Sequence, residues 1–68
     1  MNMNETSNTP GSAIRVLRTA AGLTLDQVAR EAGVSPTHLS RVETGVKAGT
    51  PAFIGAVSKA IAQHLIAA

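Results

Sequence analysis

The 68-residue chain contains no cysteine, tryptophan or tyrosine, and Phe53 is its single aromatic residue. Without cysteine there is no disulfide framework, no thiolate metal site and no thiol nucleophile. That lack fits a reducing compartment. The first 13 residues carry no Lys or Arg and no long apolar run, so no secretory signal is expected at the start. No stretch approaches the roughly 20 apolar residues that span a bilayer, so no membrane partner is expected. Apolar residues still make up 44% of the chain, many of them alanine, which points to small core side chains and closely approaching helices. A chain this short forms one domain with a thin core, to which oligomerisation or ligand binding can add stability.

Charge is also sparse. Six Lys or Arg face four Asp or Glu, a net charge of +2, and all six bases lie between Arg15 and Lys59. Glu5 lies in the leading segment, so the chain from Ser12 onward carries +3. This mild basic bias is compatible with a nucleic-acid partner without identifying one.

The organisation follows from the caps. Residues 1–11, MNMNETSNTPG, are polar and rich in Asn and Thr, and read as a disordered lead-in to a domain over 12–68. Ile14, Leu17 and Ala21 then fall on one face of a helix, with Ser12 as N-cap, Thr9-Pro10 as the rival start and Gly22 closing it. Thr24 and Gln27 have capping-box spacing, and Leu23 and Val28 the staple spacing, at a second helix closed by Gly33. Val28, Ala29 and Ala32 face inward on that helix. A third begins with Ser35 as N-cap and Pro36 at the first helical position, where a missing N–H costs nothing. Leu39 and Val42 point inward there, and Gly45 stops it. Thr50-Pro51 starts a fourth helix, with Phe53 or Ile54, Val57, Ile61 and Leu65 on its inner face. No segment alternates with period two, so no strand is expected. The fold class is all-α, and the short glycine-containing turn between the second and third helices has helix-turn-helix form.

The run Ile14–Gly45, IRVLRTAAGLTLDQVAREAGVSPTHLSRVETG, resembles the lambda repressor- and Cro-like (XRE-like) helix-turn-helix DNA-binding family. The resemblance implies a compact bundle of four to five helices that binds operator DNA as a dimer through a recognition helix, here 35–44, in the major groove. It needs no cofactor and no metal, and it implies a cytoplasmic transcription regulator, by default a repressor. The chain departs from the pattern at Leu25, where many members carry Gln, and at AIAQHLIAA, which continues where a break before a fifth helix is usual.

On a helical wheel Thr37 and Arg41 lie opposite Leu39, with Ser40 and Thr44 to one side and His38 to the other. Arg41 is the leading candidate for base contact, because its planar fork matches guanine O6 and N7; a phosphate contact is its alternative. The Thr37 methyl suits a thymine methyl and its hydroxyl any base or a phosphate, while Ser40 and His38 are weaker base-contacting candidates. His38 has a phosphate contact or a turn cap as its other roles. Pro36 stands where relatives often carry a base-reading Gln, and its expected role is only to start the helix. Phosphate contacts are expected from backbone N–H groups near Thr24 and Leu25, and from Gln27, Ser35, Thr44 and Lys47. Arg18 and Glu43 are expected to form a structural salt bridge, as the matching pair does in relatives. Leu65 and Ile66 on the C-terminal helix are the expected homodimer contacts.

Other functions have less support. His38 and His64 stand apart from any carboxylate pattern of a triad or metal site, and neither GVKAG nor GTPAFIG has Walker spacing, so no enzyme is expected. A module whose main partner is a protein, such as an antitoxin of the same fold, is the main alternative, followed by a scaffold that has lost DNA binding.

Overall fold

The computed structural model describes residues 9–67. Four helices follow one another: α1 (Pro10–Ala20), α2 (Leu25–Ala32), α3 (Pro36–Glu43) and α4 (Pro51–Ala67). There is no strand among the described residues.

Each helix starts where a hydroxyl can take up an orphan N–H group. Thr9 Oγ1 accepts from the Ser12 N–H at 3.0 Å, and the Ser12 hydroxyl donates back to the Thr9 carbonyl at 2.9 Å. The first helix therefore begins at the rival start, Thr9-Pro10, and Ser12 is the partner of the cap rather than the cap. Residues 9–11 belong to α1 and its cap instead of a lead-in, while residues 1–8 lie outside the described residues. At α2 the capping box is complete: Gln27 N–H donates to Thr24 Oγ1 at 3.1 Å, and Thr24 N–H donates to Gln27 Oε1 at 2.8 Å. Ser35 Oγ accepts from the His38 N–H, and Thr50 Oγ1 from the Phe53 N–H. The α2–α3 turn is tight because Gly33 adopts φ +73°, a left-handed conformation that a β-carbon disfavours. It lets the Val34 N–H return to the Ala29 carbonyl at 2.9 Å.

α1 packs against α3 and α4, and α2 also packs against α3 and α4. Ile14, Leu23, Val28, Ala29, Leu39, Val57, Ala60 and Ile61 form the core. Two inward assignments do not hold. Leu17 is 46% exposed, because the buried side of α1 runs through Gly11, Ile14 and Arg18 and turns away from it. Leu65 is 55% exposed, because α4, at 17 residues, outruns neighbours of 8 to 11 residues and leaves its last turn uncovered.

α1 and α3 meet at Gly11. A β-carbon there would overlap the Val42 carbonyl oxygen and come within 2.7 Å of the carbonyl carbon, both backbone atoms that cannot rotate aside. Gly55 in α4 faces open space. The same substitution should therefore act with opposite sign at the two sites. Gly55→Ala is expected to raise stability by up to about 1 kcal/mol through helix propensity. Gly11→Ala is expected to lower it by about 1–3 kcal/mol through overpacking. Urea unfolding of both variants checks this, and a Gly11→Ala protein as stable as the parent would contradict the contact.

Candidate nucleic-acid interface

α3 has two faces of opposite character. Leu39, Val42 and Glu43 are buried; Pro36, Thr37, Arg41 and Thr44 are exposed; and His38 and Ser40 lie between. The buried side is held at several points. Leu39 joins the core, and the His38 ring lies against Phe53 of α4 with centroids 4.6 Å apart. Beyond the helix, the Lys47 N–H donates to the Arg41 carbonyl at 3.1 Å and closes the C-terminal turn.

The firmest anchor is polar. Arg18 Nε donates to Glu43 Oε2 at 2.8 Å, and its Nη2 donates to Oε1 at 2.9 Å, a two-pronged pair. Its third nitrogen, Nη1, donates to the Leu23 carbonyl at 3.0 Å. The two side chains are only 12% and 4% exposed. The hydrogen bonds that Arg18 donates to the Glu43 carboxylate raise its pKa above the ordinary value, with burial acting against them. The stability tied to this shift is complete below the ordinary arginine range. It would be lost only as pH rises through the raised value, so neutral and mildly alkaline solutions leave it intact.

Of the base-contact candidates, Thr37 and Arg41 stand together on the exposed face, and neither side chain makes a hydrogen bond among the described residues. Ser40 is half-buried beside them. His38 lies to the other side of α3, where the wheel places it, with its ring against Phe53 of α4.

The phosphate candidates divide by which protons are free, since a phosphate oxygen needs a donor. The Thr44 hydroxyl already donates to the Ser40 and Arg41 carbonyls at 3.1 and 3.3 Å. Its proton is thus engaged within its own helix turn. The Thr24 N–H is likewise used by the capping box, leaving the N–H groups of Leu25 and Asp26 at the start of α2. Thr24 and Ser35 accept through their hydroxyl oxygens and keep their protons, and Gln27 is engaged through Oε1 and keeps its amide N–H groups. Lys47 is exposed after α3. These donors bracket the turn and both ends of α3.

One pairing escaped the sequence. His64 Nε2 lies 2.7 Å from Glu31 Oε1, joining α4 to α2, so His64 does not stand apart from acids. The two residues are 33 positions apart, and nothing in their local patterns links them. Among the described residues there is no group of three or more His, Cys, Asp or Glu side chains able to hold a metal ion.

The sequence model of one protein family, the helix-turn-helix domain, matches residues 11–63, which is α1 through most of α4. No curated protein and no solved structure gives a significant match.

Breaking the buried pair should leave a guanidinium without its counter-charge. Glu43→Gln is expected to destabilise the protein by about 3 kcal/mol. In a domain of this size that lowers the melting temperature by about 12–24 °C. Calorimetry of the variant checks this; melting at the parent temperature would strike the pair from the account of how α3 is held.

Proposed function

The chain belongs to the XRE-like helix-turn-helix family of DNA-binding regulators, and we propose that it is a sequence-specific repressor that inserts α3 into the major groove of an operator as a homodimer. The observation that carries this reading is the exposure of Thr37 and Arg41 on a short helix whose opposite face is buried and whose ends are both capped. Side chains that read base edges must be presented without moving. Arg41 takes a guanine through O6 and N7, while Thr37 and Ser40 lie against neighbouring bases. Ser35, Lys47, Gln27 and the free N–H groups at Leu25 and Asp26 fix register on the phosphates. The ligand is double-stranded DNA, which implies a cytoplasmic location; the reading requires neither cofactor nor catalysis.

Ile66 is 83% exposed and Leu65 55% exposed, which leaves both accessible to a partner copy. Palindromic half-sites one helical turn apart are the geometric counterpart of such a dimer. A protein-partner module is the second reading, and one observation favours it. Ala13, Val16, Leu17 and Ala20 form an exposed apolar stripe on α1 with helical spacing.

Selection of bound sites from random duplex DNA, followed by titration across salt concentration, separates the two. A palindromic motif with a steep negative salt slope is expected. Binding no better than to random DNA would move the assignment to a protein partner. On the selected operator, Arg41→Ala should flatten preference at one position per half-site, losing about 1–3 kcal/mol of discrimination there. An unchanged motif for that variant would refute the role given to Arg41.

A further inference from the structure

The exposed face of α3 is chemically narrow. Pro36, Thr37, Arg41 and Thr44 are exposed, and Ser40 is half-buried beside them. No carboxylate and no amide side chain stands among them. The face therefore lacks the carboxylate that takes the cytosine amino group and the amide that grips adenine with a paired donor and acceptor, and its hydroxyls can serve any base. Arg41 offers donors only, which restricts its paired contact to guanine. At the N-terminal end two consecutive exposed residues each carry apolar surface, Pro36 in its ring and Thr37 in its γ-methyl. Pro36 has no N–H to offer, and its ring is exposed rather than packed on the core. The N-terminal residues of a recognition helix are the ones that meet base edges. The apolar group that a base pair presents in the major groove is the thymine C5-methyl.

We infer that Pro36 is a specificity residue as well as a helix starter: with the Thr37 methyl it forms an apolar seat for one thymine C5-methyl in each half-site. The inference rests on α3 being read in the major groove. Thr37 and Arg41 are four residues apart, about 6 Å along the helix. That is less than two base-pair rises of about 3.4 Å, so the thymine lies near the guanine taken by Arg41, toward the N-terminal end of α3. Because the seat holds a methyl group rather than a hydrogen-bonding edge, the contact is lost by removing that methyl while base pairing stays intact.

The test uses the full chain and its selected operator, with each thymine replaced in turn by deoxyuridine. One position per half-site should lose affinity about fourfold, the worth of one buried carbon. Thr37→Ser, which keeps the hydroxyl and removes only the γ-methyl, and Pro36→Ala should each bring the thymine-to-uracil ratio at that position toward one. Thermal melting confirms that each variant is folded, and Thr37→Ser, at an exposed site, carries the test should Pro36→Ala weaken the helix start. Sequence-specific binding that distinguishes thymine from uracil at no position would overturn the inference and leave the DNA reading standing. A ratio unchanged by Thr37→Ser would also overturn it, by assigning the methyl to other residues, and a ratio unchanged by a folded Pro36→Ala would overturn the role of Pro36. Failure to select any operator would overturn the DNA reading and, with it, this inference.

Discussion

The Arg18 guanidinium ties three separate stretches of chain together. It leaves α1, takes the Leu23 carbonyl in the turn to α2 and grips the Glu43 carboxylate in the last turn of α3. Taken alone, each half is unfavourable. A carboxylate in the last turn of a helix faces the negative end of the helix polarity, and a guanidinium buried without a partner is costlier still. Together they satisfy one another, and no buried side-chain polar atom among the described residues lacks a partner. A hydrophobic pair of equal volume can match such a pair in stability. What it lacks is direction, because apolar contacts tolerate sliding and a two-pronged hydrogen bond does not. The pair therefore fixes the rotation of α3 about its own axis, and with it which residues face outward.

The rest of the small bundle extends that constraint. At the entrance of α3, Ser35 and the left-handed Gly33 set where the helix begins; at its exit, the Lys47 N–H closes it. Gly11 lets α1 approach the Val42 backbone closely. The core beneath is made largely of Val, Leu, Ile and Ala, small enough for such approaches. An eight-residue helix is too short to be stable alone, and here its geometry is imposed by what surrounds it.

The features that were legible in the sequence are mostly those whose partners lie within a few residues. The Thr24–Gln27 box, the Ser35-Pro36 start and the glycine stops are patterns of adjacent positions, and the structure has them as written. Even there, two starts competed at α1, and the choice fell to Thr9 because Ser12 could support it from three residues on. Contacts across the bundle were harder. Leu17 and Leu65 have the right spacing for an inner face, yet which face is inner depends on the rotation of α1 and the length of α4 relative to its neighbours. The Glu31–His64 link and the Gly11–Val42 contact join residues more than 30 positions apart and leave no local trace. At the candidate interface, the outward placement of Thr37 and Arg41 could be read from periodicity alone. The hydrogen bonds that the Thr44 hydroxyl donates to helix carbonyls, and the tilted contact of His38 with Phe53, required the neighbouring atoms.

Thr37 and Arg41 owe nothing to the fold: both are exposed, and neither side chain is hydrogen-bonded among the described residues. Stability is carried by one set of positions on α3 and the outward chemistry by another, with little overlap between them. Substitutions in the outward set are close to neutral for folding, since surface changes away from structural features usually shift stability by less than about 0.5 kcal/mol. A lineage built on this scaffold can therefore exchange its outward residues in small steps without crossing an unfolded sequence. Its outward chemistry can diversify while the bundle beneath stays constant.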